Sequence, residues 1–195
     1  MQLFVYSFVY MYSLVFHYCK DWLIHKKATT KTRHKYSMTG FSYFRSMQIK
    51  WDFKAFSELS IDELYAMMVL RQEVFIVEQD CPYMDADGKD QKSYHLLGYD
   101  ADGDLVAHLR LVAPGVSYQE MSFGRIVTSD KVRGKGVGKL LMKEGIKQSE
   151  LLYGKVANRI SAQSYLIPFY QYFGFKTVGE EYLEDDIPHT EMLRC

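Results

Sequence analysis

The stretch at residues 133–139, RGKGVGK, is the feature that most constrains how this chain folds. Glycine stands at every second position, and a glycine removes the side chain and permits backbone conformations with positive φ. Apolar residues then recur at the spacing of an amphipathic helix (Leu140, Leu141, Ile146 and Leu151). A bare loop that leads into a helix exposes N–H groups and the positive end of the helix dipole. The sequence therefore predicts a strand, a phosphate-binding loop and a helix, in that order.

The residues around the glycines exclude two common phosphate loops. An ATP-binding loop of the Walker type has Ser or Thr after Gly-Lys, whereas here Leu140 follows Lys139, and Arg133 stands at the first glycine position. A dinucleotide fingerprint needs a third glycine where Lys139 stands. The loop is therefore predicted to bind a phosphate-containing ligand other than ATP or a dinucleotide.

The rest of the chain divides into two parts of different composition. Residues 1–46 contain seven basic side chains and one acidic, although the whole chain balances 24 basic against 24 acidic residues. Residues 47–195 are therefore net acidic and long enough for one hydrophobic core. We predict an N-terminal extension over 1–46 and a single domain over 47–195.

Three interpretations of the extension stay open. Residues 1–18, MQLFVYSFVYMYSLVFHY, are about as long as a membrane span, which suggests a membrane or interfacial anchor. Alternatively, Met47 is the natural start of the protein, or the extension is an added structural element.

Charge and cysteine content argue against several classes of protein. The balanced charge gives no sign of a nucleic-acid surface. Cys19, Cys81 and Cys195 are odd in number and form no C-x-x-C pair, so neither a disulfide framework nor a zinc site is expected. We predict a cytoplasmic protein with reduced thiols and no metal.

Local patterns predict an α+β (α/β) domain with a mixed, mainly antiparallel sheet and flanking helices. Ser60 and Glu63 form a capping-box pattern before a helix over about 61–75. The run HLLGYDADGDLVAHLRLV predicts a hairpin, and EMSFGRIVTS predicts a strand in which Gly124 marks a bulge or a close backbone approach. A short strand in VANRISAQ, a short helix near Pro168 that ends at Gly174, and two final strands complete the order.

Two motifs resemble those of a known family. Arg133-x-x-Gly136-x-Gly138 resembles motif A of the Gcn5-related N-acetyltransferases (GNAT), and Phe169-Tyr170-x-x-Phe173-Gly174-Phe175 resembles their motif B. Further segments, among them LRQEVFIVEQDCPYMDADGKD and YLEDDIPHTEM, resemble the ElaA-type branch. The resemblance covers nearly all of 47–195 and nothing of 1–46. It implies the GNAT fold and acetyl coenzyme A as cosubstrate.

The resemblance also implies site residues. The pyrophosphate would be held by the glycine loop, which comprises Arg133, Gly134, Lys135, Gly136, Val137 and Gly138. Backbone groups at Ile126 and Val127 would contact the pantetheine arm, and an N–H there would polarise the thioester carbonyl. Tyr170 would donate a proton to the departing thiolate.

The general base is open among Glu78, Glu120, His95, His108 and His189, of which His189 lies where the ElaA-type pattern also has histidine. The acidic loop at Asp85, Asp87 and Asp90 lacks the glycine and glutamate positions of a calcium loop, so we expect a solvated turn. Alternatively, with Glu78 and Asp80, this loop lines the acceptor side and favours a cationic amine.

The sequence thus predicts an enzyme that transfers an acetyl group to a primary amine of a small molecule or peptide by direct attack in a ternary complex. The alternative is a non-catalytic acyl-CoA-binding or protein-interaction module of the same fold. The resemblance also makes a homodimer an expectation, and a membrane partner is expected only if residues 1–18 form an anchor.

Overall fold

The structure, a computed structural model, describes residues 48–195. The predictions for residues 1–46 lie outside the described residues. The described part contains seven strands: β1 (Lys50–Ala55), β2 (Ser93–Tyr99), β3 (Leu105–Val112), β4 (Met121–Thr128), β5 (Asn158–Gln163), β6 (Lys176–Glu184) and β7 (Ile187–Arg194). Its α-helices are α1 (Ile61–Arg71), α2 (Val137–Tyr153) and α3 (Ile167–Gln171).

All seven strands form one sheet in the order β1-β2-β3-β4-β5-β7-β6. Neighbouring strands are antiparallel except β4 and β5, which are parallel and are connected through α2. The predicted mixed, mainly antiparallel sheet with flanking helices is confirmed. Strand β1 was not predicted; it pairs along its whole length with β2.

Helix α1 begins at the predicted capping box. The Ser60 N–H donates to the Glu63 carboxylate at 2.8 Å, and the Glu63 N–H donates back to the Ser60 hydroxyl at 3.2 Å. The end of the helix differs from the prediction, because the α-helical turns stop at Arg71 and a π-helix continues over Gln72–Glu78. Such wider turns are frequent at functional sites. Here they carry Glu78 to the glycine loop.

Helix α2 covers the centre of the sheet. Leu141, Gly145 and Ser149, which are four residues apart, are buried along one face of the helix. A Cβ on Gly145 would stand 2.8 Å from a methyl group of Leu109 on β3, so the glycine permits close approach of helix and sheet. The predicted helix is present, but the apolar pattern that predicted it is only half of its packing face: Leu141 is buried and Ile146 packs against the core, whereas Leu140 and Leu151 are exposed.

Within residues 48–195 no helix is long and apolar enough to cross a membrane. Cys81 and Cys195 carry free thiols.

Candidate active site

The sheet opens between β4 and β5. These strands pair only at Met121–Asn158 and Ser122–Arg159, at one end of the strands. A cleft with a volume of about 910 Å³ is lined by both strands beyond these pairs, for example by Ile126 and Ile160. Because strand edges that do not pair leave N–H and C=O groups available, the opening is suited to binding an extended ligand.

The glycine loop leads from β4 to α2 and has the predicted local geometry. Gly134 and Gly136 have φ of 72° and 82°, which glycine adopts without the steric cost of a side chain. Gly136 is the N-cap of α2. The N–H groups of Gly136, Val137 and Gly138 have no backbone acceptor within the described part of the chain. A Cβ on either Gly134 or Gly136 would meet no atom within 4 Å. The loop therefore presents bare donors to open space, and it fits a pyrophosphate.

The basic side chains of the loop bond to the protein itself. Two nitrogens of Arg133 donate to the Thr128 carbonyl at 3.1 and 2.9 Å, and the third donates to the Glu78 carboxylate at 2.6 Å. The ammonium of Lys135 donates to the Lys131 carbonyl at 2.7 Å. The side chain of Arg133 therefore fixes the loop against β4 and the π-helix.

Strand β4 carries a β-bulge on the cleft wall. Its pairing with β3 passes from Val127 directly to Gly124, so Arg125 and Ile126 have no partner in the ladder. The sequence indicated the bulge by Gly124, but the strained residue is its neighbour Arg125, which has a φ of 50°. Ile126 and Val127, the predicted contacts of the pantetheine arm, both line the cleft.

Tyr170 lies on α3 and lines the cleft from the side of β5 and α3. Its residue surface is 7% exposed, and its ring packs edge-on against Phe169 and Phe175. Burial raises the pKa of the Tyr170 hydroxyl well above its ordinary value, so the group keeps its proton near neutral pH. The hydroxyl forms no hydrogen bond with residues 48–195 and is available to a ligand in the cleft.

His189 lies on β7 and also lines the cleft. Its Nδ1 is 2.8 Å from the Ile187 carbonyl, and its ring stacks on Tyr182. Because a carbonyl only accepts hydrogen bonds, the network assigns the proton of the neutral ring to Nδ1. The Nε2 atom is then an acceptor.

The other candidate bases are occupied. Glu78 pairs with Arg133, and Glu120 accepts two hydrogen bonds from Arg159, which lower its pKa. His95 and His108 are completely buried and do not line the cleft. Of the five candidate bases, His189 and Glu78 line the cleft, and the Glu78 carboxylate is paired with Arg133.

The acidic loop at residues 85–90 is the expected solvated turn only at residues 86–88, which are exposed. Asp85 and Asp90 are only 4% and 6% exposed, and both bond to the buried guanidinium of Arg71 at 2.8 Å. Asp85 also binds Arg125, and Asp90 also binds Arg110. Asp87 accepts two hydrogen bonds from Arg110, which outweigh the effect of burial and hold its pKa well below the usual range. The two ends of the loop, Asp85 and Asp90, are folded inward because arginines neutralise their carboxylates.

The β6–β7 hairpin contributes residues that sequence analysis missed. The Ser161 hydroxyl donates to the Glu184 carboxylate at 2.9 Å and lies 2.6 Å from the Tyr182 hydroxyl. Glu184 and Asp185 line the cleft, and neither forms an ion pair with a described cation. The stretch EDDIP predicted only a turn, and no local signal in it indicates that the turn reaches the cleft.

Tyr170, His189, Ile126, Val127 and Arg133 therefore share one cleft. The loop glycines at 134, 136 and 138 are not part of the cleft wall; they follow Arg133 along the chain, at the start of α2. The roles of these residues stay predictions. Among residues 48–195 no group of three or more His, Cys, Asp or Glu side chains is arranged to hold a metal ion.

Comparison with known proteins agrees with this architecture. The family model of the acetyltransferase (GNAT) domain matches residues 58–194. The protein ElaA of Escherichia coli is 40% identical over 148 residues, which cover 75% of this chain and 96% of ElaA. A UPF0039 protein of Synechocystis is 44% identical over 147 residues, which cover 75% of this chain and 96% of that protein.

Two solved structures have the same fold. The crystal structure of Escherichia coli ElaA matches with a TM-score of 0.71 at 39% identity and covers 75% of this chain and 99% of that one. An acyl-CoA N-acyltransferase from Pseudomonas aeruginosa matches with a TM-score of 0.73 at 41% identity and covers 76% of this chain and 100% of that one. These relationships support acyl transfer as the class of activity and acyl-CoA as the cosubstrate. The chain belongs to the GNAT acetyltransferase family, within the group of proteins that contains ElaA.

Proposed function

We propose that this protein is an N-acetyltransferase that uses acetyl-CoA to acetylate a primary amine by direct attack in a ternary complex. One observation carries the proposal: a loop of unpaired backbone donors at the start of α2 adjoins a cleft that contains an unpartnered tyrosine hydroxyl. The first feature suits a pyrophosphate, and the second suits a leaving group that needs a proton.

The cosubstrate would be held mainly by backbone groups. The N–H groups of Gly136, Val137 and Gly138 would bind the pyrophosphate, aided by the positive end of the 17-residue helix α2. Ile126 and Val127, which do not pair with β5, would hold the pantetheine arm as a strand-like partner. When bound, acetyl-CoA supplies an activated thioester.

Tyr170 acts as the general acid in this proposal. Its raised pKa keeps the phenol protonated, and its hydroxyl has no partner among residues 48–195 that competes for the proton. His189 acts as the general base: Nδ1–H is engaged by the Ile187 carbonyl, so Nε2 accepts a proton from the amine directly or through water.

Direct attack is favoured over an acyl-cysteine route. Cys81 is the cysteine that lines the cleft, and its thiol donates to the Asp185 carbonyl at 3.8 Å. Burial and the nearby carboxylates of Asp185, Asp186 and Asp80 raise the pKa of this thiol. A raised pKa lowers the thiolate fraction, which makes Cys81 a poor nucleophile.

The acceptor enters, on this proposal, at the end of the cleft near the β6–β7 hairpin. Glu184 and Asp185 supply negative charge there, which favours an amine that approaches as a cation. Small molecules and peptides with a free amine both fit this chemistry. Acetyl-CoA and free thiols suit the cytoplasm as the compartment.

A thiol-release assay with acetyl-CoA and a library of amines tests the function. The variant Gly136→Asp places a side chain and a negative charge at the loop, and we expect it to lose acetyl-CoA binding and turnover. Gly179→Asp is the matched control, because Gly179 also has positive φ (85°) and open space but lies on β6. Equal turnover of the wild type and Gly136→Asp would overturn the assigned phosphate site. Binding of acetyl-CoA without transfer to any amine would instead favour the non-catalytic module.

A further inference from the structure

Two buried histidines stand directly behind the β-bulge. His95 on β2 and His108 on β3 are both 0% exposed, and their rings stack with centroids 5.5 Å apart. The Nδ1 atom of His95 is 3.2 Å from Nε2 of His108. The mechanism proposed above uses neither residue, so the purpose of this pair needs its own explanation.

The outer nitrogens of the pair face two backbone carbonyls. His95 Nε2 lies 3.1 Å from the Asp90 carbonyl, and His108 Nδ1 lies 3.2 Å from the Arg125 carbonyl. Three contacts require three protons, whereas two neutral imidazoles carry only two N–H groups. One contact therefore lacks its proton whenever the pair is uncharged.

The surroundings keep the pair uncharged. Burial lowers the pKa of both histidines, and the charges of Arg71 on α1 and Arg110 on β3 lower it further. The Asp90 carboxylate acts in the opposite direction on His95 but is itself bound by both arginines. The side chain of Phe56 packs against His95 and adds no charge.

Of the two carbonyls, that of Arg125 has the greater need of a donor. The Asp90 carbonyl already accepts the N–H of Ser93. Arg125, in contrast, has no partner in the ladder between β3 and β4. An unpaired buried carbonyl is costly, so the network assigns the single proton of His108 to Nδ1, where it is donated to Arg125.

This hydrogen bond fixes the direction of a peptide on the cleft wall. The carbonyl of Arg125 and the N–H of Ile126 belong to the same peptide plane, and in a trans peptide they point in opposite directions. If the carbonyl points at His108, the N–H of Ile126 points away from the buried pair. The side chain of Arg125 is fixed as well, since its Nε donates to Asp85 at 2.6 Å.

We infer that His108 is a positioning residue, which holds the Arg125 carbonyl and thereby directs the Ile126 N–H toward the acyl carbonyl in the cleft. This inference rests on the proposed function for its catalytic consequence. Its structural part, the dependence of the bulge on the His108 donor, holds independently of any activity.

Four variants test the role. His108→Leu removes the donor, while His108→Asn keeps an amide donor near the position of Nδ1. His108→Gln places its amide near Nε2 instead and serves as the polar control. His95→Leu removes an equally buried ring that does not line the cleft, and it leaves the bond from His108 to Arg125 available.

We expect His108→Leu and His108→Gln to lower kcat by about tenfold or more, because loss of an aligned donor to a developing oxyanion typically costs at least this much. The KM for acetyl-CoA should change less than kcat. His108→Asn should recover most of kcat, and His95→Leu should keep kcat even where it lowers Tm. A pH profile of kcat in His108→Asn that retains the wild-type shape would agree with positioning and exclude a base role.

Amide hydrogen exchange at residues 125–127 provides the readout that needs no activity. It should accelerate in His108→Leu and His108→Gln and stay near the wild-type rate in His108→Asn. If exchange responds as expected but the wild type transfers no acetyl group, the proposed function fails and the role of His108 at the bulge stands. Equal losses of kcat in His95→Leu and His108→Leu, or unchanged exchange in His108→Leu and His108→Gln, would overturn the inference.

Discussion

Replacement of Tyr170 by Phe separates catalysis from binding most directly. The substitution removes one oxygen from a side chain whose ring is packed between Phe169 and Phe175 and leaves that packing in place. Because the hydroxyl has no hydrogen-bond partner among residues 48–195, its removal breaks no internal bond. We therefore expect a change in unfolding free energy below about 1 kcal/mol, which corresponds to a shift in Tm of about 2–4 °C or less for a domain of this size.

The effect on turnover should be much larger. General acid catalysis contributes a factor of about 10²–10⁴ to the rate. Because a thiol has an ordinary pKa near 8.5, its thiolate is a good leaving group, and we expect the fall in kcat to lie at the lower end of that range. A hundredfold fall in kcat corresponds to about 2.7 kcal/mol of activation free energy. The KM for acetyl-CoA should stay within about threefold, because a bond that forms only as the thiolate departs does not stabilise the ground state.

The assay is thiol release at saturating acetyl-CoA, with Tyr165→Phe as control. Tyr165 lines the same cleft but is 71% exposed, so the identical chemical change should leave kcat almost unaltered. The raised pKa of Tyr170 further predicts that kcat shows no basic limb from loss of this proton up to about pH 9. Turnover of Tyr170→Phe within about twofold of the wild type would refute the acid role, since a hundredfold effect is the smallest that the argument allows.

Three further predictions concern pH and the acceptor. Burial lowers the folded-state pKa of His95 and His108, so the unfolded chain binds protons more readily, and Tm should fall as pH drops below about 6.5. His108→Asn should weaken this decline when Tm is measured by calorimetry. A decline identical to that of the wild type would contradict the prediction. Asp87 and Asp90 have depressed pKa values, so their stabilisation is present above about pH 4 and should be lost in a second, steeper decline below it. Glu184→Gln should raise the KM of cationic amines by about threefold or more without changing that of neutral ones, because only the charge of the carboxylate is removed; equal effects on both would show that charge does not select the acceptor.

Features that depend on neighbouring residues could be predicted from the sequence. The capping box at Ser60 and the start of α2 within the glycine loop are set by side chains and backbone angles a few residues apart. Gly124 likewise indicated the bulge, although the positive φ falls on Arg125. A glycine indicates that the backbone departs from regular strand geometry, but it does not indicate which residue is strained. That residue depends on the hydrogen bonds of Arg125 with His108 and Asp85, which lie elsewhere in the chain.

Features that depend on distant partners could not be predicted. The loop at residues 85–90 has the composition of a solvated turn, yet Asp85 and Asp90 are buried against arginines 14 to 40 residues away along the chain. Nothing in the local sequence distinguishes a carboxylate that is hydrated from one that forms an ion pair with Arg71. The same reason explains why His189 was only one of five candidate bases: its place in the cleft is set by the pairing of β7 with β5.

The charge of the cleft illustrates why composition is a poor guide to the acceptor. The net acidity of the domain suggested a preference for cationic amines, with Asp85 and Asp87 among the responsible residues. In the structure, these carboxylates and Asp90 are matched by three arginines, so the buried cluster contributes no net charge to the acceptor side. Glu184 and Asp185 also line the cleft, and they have no arginine or lysine partner in the described chain, so they are the carboxylates that would favour a cationic acceptor. The cationic acceptor stays a hypothesis, and it now depends on the β6–β7 hairpin. A substitution at Glu184 tests this hypothesis, whereas a substitution at Asp85 would only unfold the loop.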